Sequence, residues 1–317
     1  MAYRIDLRKN LGRELVRIGL DQIETCRVRF AAADPGDGGA HDVRKSLKRL
    51  RALLALAGPA IGKAKERHER HRFRDLGRIL AASRDAAVMR GTLRKVEHQY
   101  GLGSSGPTAT LANLLQTTTP PALSPVQIRR VTAGLERATA AMSRLDVSTL
   151  SKADLLGAAV TTYGKARRGL RRLERDDDDE AVHAWRKCVQ THWRQMRLLA
   201  GIWPDEIDVR IRTARKLSQL LGDHHDLTLL RAFMRESAQG SVSKAERQAI
   251  AQFIAISQKQ LLRSAIPLGT ILFAEAKSSF AKRLAVYWSS SRKLRDKTVV
   301  PAARPRADRP KLVKPGG

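Results

Sequence analysis

Two short motifs occur twice in this chain, in the same order and at nearly the same separation. "HDVRK" begins at His41 and "HAWRK" at His183, 142 positions later. Downstream, "LGRILAASRDAAVM" (76 to 89) is answered by "LSQLLGDHHDLTLL" (217 to 230), which sets Asp85 and Asp226 141 positions apart. Internal similarity at a fixed offset is the mark of a duplicated structural unit. The chain therefore reads as a tandem repeat, with a first half at about 1–146 and a second at about 147–295. Ala, Leu, Arg and Lys dominate, aromatic residues are only 4%, and few windows alternate with period two. That points to an all-helical fold, each half supplying about four helices.

Breaks in the pattern divide the chain. Residues 99–128 carry no charged side chain in a protein that is 29% charged, and they are rich in Gly, Ser, Thr and Pro. They read as a connecting loop. Shorter breaks fall at "DPGDGG" (34–39), "GPAIG" (58–62), "RDDDDE" (175–180) and "GIWPDE" (201–206). Between them the spacing predicts helices over roughly 6–32, 40–57, 63–98, 124–145, 149–174, 178–202, 206–238, 243–264 and 269–294. The acidic run before residue 181 suits a helix N-terminus, where carboxylates meet the positive end of the helix dipole. Residues 296–317 form a basic, Pro-rich tail that reads as disordered.

Lys and Arg number 60 against 31 Asp and Glu, a formal net charge of +29. Such a charge opposes compaction by self-repulsion and points to an anionic partner. The stretch from 292 onward holds nine basic and two acidic residues, so +22 remains on the rest of the chain. With 42% hydrophobic residues, a sizeable core is available. Cys26 and Cys188 stand far apart and in no metal-ligand spacing, as in a reduced intracellular protein. The N-terminus lacks an apolar run of signal-peptide length, and no apolar stretch is long enough to span a membrane. A soluble cytoplasmic location is the expectation.

The charge is patterned. At about 100° per residue, Arg44, Lys45, Lys48, Arg49 and Arg51 fall within roughly 80° of His41 on its helix, while Val43, Leu47, Leu50, Leu53 and Leu54 take the other arc. On the second motif helix, Arg186, Lys187, Gln190, Arg194 and Arg197 gather around His183, opposite Trp185, Val189, Trp193 and Met196. Acidic partners at i±4 are almost absent, so these faces are more than ordinary solvated helix surfaces. The planar fork of Arg suits phosphate oxygens. With two-fold-like packing the two faces would converge on one cleft. Histidines among so many cations should be held neutral. The second motif adds Arg84 with Asp85, and His225 with Asp226. The two aspartates are either orienting partners for neighbouring Arg or His side chains or simple helix salt bridges. Lys165, Arg168 and Arg172 fall on one side of the helix of "YGKARRGLRRL" and, with Arg74, Arg78 and Lys216, are further candidates for the groove wall. "HERH" (68–71) and the His224–His225 pair lack HExxH spacing, and no metal site or other cofactor is expected from them.

Together "HDVRKSLKRLR" from 41, "RDAAVM" from 84, "YGKARRG" from 163, "HAWRKCVQTHWRQMRLL" from 183 and "LLGDHHDLTLL" from 220 resemble the CHAD family, the conserved histidine α-helical domain. The resemblance spans about 5–295 and implies two four-helix bundles related by pseudo-two-fold symmetry. It also implies a basic central groove or pore that binds inorganic polyphosphate, without catalysis, and association with polyphosphate granules. Gln190, Thr191 and Trp193 stand where the first half has Lys48, Arg49 and Arg51, so the second face is less basic or relies on Arg194 and Arg197. Two other functions fit parts of the same residue pattern. A nucleic-acid binder would share the charge, but single-strand binders use aromatic platforms and aromatics are scarce here. A metal-dependent phosphohydrolase would need clustered carboxylates, which the basic faces lack.

Overall fold

Helix starts are set by side chains that satisfy the first free backbone donors. Asn10 Oδ1 accepts from the Arg13 backbone N–H at 3.0 Å. Ser124 with Gln127, and Ser243 with Glu246, form reciprocal capping boxes. Asp178 accepts from Ala181, with Asp179 and Glu180 in the first turn that follows, as the acidic run foretold. The computed structural model describes residues 3–32, 38–102, 106–117, 122–173, 175, 178–236 and 240–298, and of these the side chains of 38, 82–86 and 295–298 are not described. The sequence-based reading of a tail at 296–317 thus falls almost wholly outside the described residues.

Among the described residues there are eleven helices and no strand: α1 (Leu11–Ala31), α2 (Gly38–Ile61), α3 (Lys63–Ile79), α4 (Ala82–Tyr100), α5 (Ala109–Thr117), α6 (Pro125–Ser143), α7 (Lys152–Leu173), α8 (Asp179–Leu198), α9 (Pro204–Glu236), α10 (Lys244–Leu272) and α11 (Lys277–Thr298). Three departures from the sequence reading have physical causes. The single helix expected over 63–98 turns at Leu80–Ala81, where no Gly or Pro marks it; the fully buried Leu80 side chain pins the corner. The uncharged stretch contains α5, because Leu111 and Leu115 are completely buried there. Pro59 and Pro267 lie inside α2 and α10 instead of ending them. A mid-helix proline is costly, and packing on either side of Pro267, through buried Ala265 and Gly269, holds α10 together.

Helices α1, α2, α3 and α6 pack on one another, as do α7, α8, α9 and α10, with α11 laid on α7. The two groups meet where α2 packs on both α7 and α8. Helix α4 packs on α9 and α10 of the other half as well as on α5 and α2 of its own. One apolar cluster consequently runs through both halves, from Leu15 and Leu50 to Trp185 and Phe280, and a smaller one lies under α4, α5, α9 and α10. Trp185 of α8 is the largest fully buried side chain. A Cβ at Gly269 would come 2.6 Å from Trp185 Cζ2, and one at Gly169 2.9 Å from Trp185 Cδ1. Gly269→Val should overfill this contact and destabilise the protein by about 2 kcal/mol, the middle of the range for overpacking. Urea unfolding checks it, and an unchanged midpoint would mean that the indole has room to move.

Candidate functional site

The apolar arcs of α2 and α8 decide where the basic arcs go. Val43, Leu47, Leu50 and Leu54 of α2, and Trp185, Val189 and Met196 of α8, are at most 2% exposed. Burying those stripes turns the opposite faces toward each other. His41, Arg44, Lys48 and Arg51 from α2 and His183, Arg186, Lys187 and Arg194 from α8 line one cleft of about 840 Å³. Helix α9 closes it with Lys216, Asp223, His225 and Asp226, and α4 contributes Val88 and Lys95. A second cleft of about 870 Å³ opens toward α3 and α7, where Arg67, His71, Arg74, Asp154 and Lys165 line it. Arg51, Arg70, Lys187 and Thr191 belong to both clefts, so the positive lining passes without interruption from one to the other.

Comparison with known proteins places this architecture. A family profile described as the CHAD domain matches residues 17–235. The chain belongs to the CHAD domain family. Its fold is similar to the crystal structure of the CHAD domain from the plant Ricinus communis, with a TM-score of 0.56 at 17% identity, covering 87% of this chain and 94% of that one. None of the curated proteins matches the sequence significantly. The family match ends inside α9, while α10 packs along α9 and α11 on α7.

In this CHAD domain the imidazoles of His183 and His225 stack, with ring centroids 4.4 Å apart and planes 24° from parallel. Burial, then Lys187 and Arg186, pull the pKa of His183 down to about 4. Burial, then Arg186, His183 and Lys48, pull that of His225 down to about 3. Both rings are neutral near pH 7, as expected from the sequence for His183, with burial contributing more than the neighbouring cations. His183 Nδ1 is buried with no partner among the described residues. Burial and the charges of Arg70 and Arg74 lower the pKa of Arg51, which shows how closely the cations crowd at the junction of the clefts. Arg44 Nη1 also donates to the Leu80 carbonyl at 3.5 Å, tying α2 to the corner between α3 and α4.

The duplicated faces therefore meet, but not every residue on them reaches the clefts. Lys45, Arg78 and Arg168 are exposed and line neither one. Arg78 lies 3.5 Å from the Asp75 carboxylate instead. Arg49 and Arg197 also lie off both linings, beside the Tyr3 ring. The wheel explains the split on α2. His41, Arg44, Lys48 and Arg51 span roughly 0° to −80°, whereas Lys45 and Arg49 stand at about +40° and +80°. The neighbouring helices select one side of that arc, which a single-helix projection cannot show. The side chains of Arg84 and Asp85 lie outside the described residues.

Sequence reasoning missed Arg70, Lys95 and Asp223. Arg70 precedes Arg74 and Arg78 at four-residue steps on α3, a stripe that could have been seen. Lys95 Nζ and Asp223 Oδ1 pair at 2.6 Å across α4 and α9, a contact between distant segments with no local signal. Among the described residues, no group of three or more His, Cys, Asp or Glu side chains is placed to hold a metal ion. No helix among them is long and apolar enough to cross a membrane.

Proposed function

We propose that this CHAD domain binds inorganic polyphosphate, without turning it over, along the joined clefts. One observation carries the reading: the basic faces of both repeats line a single cleft, with Asp223 and Asp226 as the only acidic groups among the described residues of its walls. Cations in this excess over acids raise the local concentration of polyanions and reward their binding through release of counterions. A polyphosphate chain is narrow, flexible and charged at every unit, so it can follow a lining that runs from Lys216 past Arg51 to Lys165. Arginine forks add bidentate geometry to the attraction. The family match supports the same ligand. The reading includes pseudo-two-fold symmetry between the halves, with α2 and α8 as equivalents, and a cytoplasmic protein associated with polyphosphate granules.

A nucleic acid would also feel the charge, yet among the described residues the rings that line the first cleft are all imidazoles, and no larger aromatic side chain offers bases a stacking platform there. Competition decides between them. Long-chain polyphosphate should displace labelled single-stranded DNA at equal phosphate concentration; if DNA holds its place, the cleft is not built for polyphosphate. Incubation of the protein with polyphosphate, with and without Mg²⁺, should release no phosphate, and release above the protein-free rate would make it an enzyme.

A further inference from the structure

Three arginines gather beside the first cleft around one tyrosine. The guanidinium carbon of Arg49 lies 5.4 Å from the Tyr3 ring centroid, and that of Arg197 lies 5.7 Å from it. Tyr3 is 6% exposed, and its hydroxyl donates to the Arg49 carbonyl at 2.8 Å. The Ile5 N–H donates to the Leu198 carbonyl at 3.0 Å, which seats this N-terminal segment on the end of α8. Arg194, 6% exposed, stands between the groups: it lines the cleft and feels the charges of Arg49, Arg186 and Arg197.

None of Arg49, Arg194 and Arg197 forms an ion pair among the described residues. Arg49 Nη1 donates to Gln22 Oε1 at 3.1 Å, and Arg194 Nη1 to the Gln190 carbonyl at 2.8 Å. Burial, followed by the charge of Arg197, lowers the pKa of Arg49. Burial also lowers that of Arg194, to about 10. Crowding guanidiniums that form no ion pair opposes folding, although the charge of Asp42 acts on Arg49. A guanidinium lying over a ring engages it by its face and keeps its in-plane N–H donors for an oxyanion. Cation–π contact alone would account for one arginine holding the N-terminal segment. It does not account for a second on the same ring beside a third that lines the cleft.

We propose that Arg49, Arg194 and Arg197 form a subsite beside the cleft, with Arg194 shared between the two, for one compact phosphoryl group. Its source is either free pyrophosphate or a phosphoryl group of a polyphosphate chain that leaves the cleft past Arg194. Only the second source rests on the polyphosphate reading.

Calorimetric titration with pyrophosphate and with long-chain polyphosphate tests it on the full chain. Arg49→Gln with Arg197→Gln should weaken pyrophosphate binding at least tenfold, whereas Lys48→Gln with Lys187→Gln in the cleft should change it less than threefold. The subsite is overturned if pyrophosphate ignores the first pair or depends equally on the second. A weakening of long-chain binding by the Arg49 and Arg197 changes assigns the subsite to the chain; an effect on pyrophosphate alone assigns it to the free ion. If the wild type binds no long polyphosphate yet binds pyrophosphate through Arg49 and Arg197, the cleft reading fails and the subsite stands. Arg49→Lys with Arg197→Lys keeps the charge and loses the fork. It should fold with a Tm at or above that of the wild type and lose pyrophosphate affinity severalfold; a falling Tm with unchanged affinity would show that the cluster only holds the N-terminal segment.

Discussion

Replacing Arg44 and Arg186 together by alanine is expected to weaken polyphosphate binding by about a hundredfold or more. The two residues occupy equivalent repeat positions, and both line the first cleft from opposite helices. A hydrogen bond to a charged group contributes about 1.5–3 kcal/mol, so losing two such donors removes about 3–6 kcal/mol. The dependence on salt should flatten as well, by about two in the slope of log affinity against log salt, if counterion release works here as it does on DNA. Helical circular dichroism should not change, because both side chains project from the polar faces of helices whose apolar faces stay packed. Alanine at Arg304 and Arg306, in the basic tail, is the control and should have a much smaller effect. Should the tail pair matter more than the cleft pair, the binding site lies elsewhere.

Affinity should also rise steeply as the solution is acidified. Within the cleft the stacked His183 and His225 have pKa values of about 4 and about 3 and are uncharged at neutral pH. The charged groups facing them are Lys48 from α2, Arg186 and Lys187 from α8, and Asp226 with the neighbouring His224 from α9. A polyanion laid among these groups offsets their repulsion and favours the imidazolium forms. If occupancy returns both rings toward the ordinary value of about 6.5, each takes up a proton on binding between about pH 7 and 5 and tightens the complex by about tenfold or more across that range. The empty protein moves the other way. A histidine whose pKa is depressed by folding binds protons better when unfolded, so the stability it leaves intact above about pH 6.5 is lost as pH falls toward the folded value. His192 adds to this loss: it is fully buried among Tyr163, Phe273 and Phe280, and burial pulls its pKa down to about 3. The gain in Tm on adding polyphosphate should therefore grow as pH drops from 7.5 to 5.5. In His183→Gln with His225→Gln, the binding constant should lose most of its pH dependence. A wild-type affinity that is flat across this range would place the phosphates away from the stacked pair.

Much of this was readable from residue order alone. The repeated "HDVRK" and "HAWRK" motifs, the amphipathic split of their helices and the scarcity of acids on the basic arcs announced two cationic faces and an anionic partner. The acidic run at 175–180 announced a helix start, and Asp178 caps one. Other features had no local signature. The turn between α3 and α4 is made by a buried leucine, not by glycine or proline, and α5 exists because two leucines in an uncharged stretch find the core under α9 and α10. Arg49 and Arg51 stand symmetrically about His41 on a helical wheel, yet Arg51 joins both clefts and Arg49 lies against Tyr3.

Periodicity and charge are properties of single segments, and they alone marked this chain as helical, with a repeated motif pair and two basic helix faces. Which side of each basic arc faces the cleft, where Arg70, Lys95 and Asp223 join it, and how two clefts share one cationic junction depend on the packing of α2 against α8 and of α4 against α9. Those contacts bring together residues more than a hundred positions apart, and only the burial of several apolar faces at once sets their register.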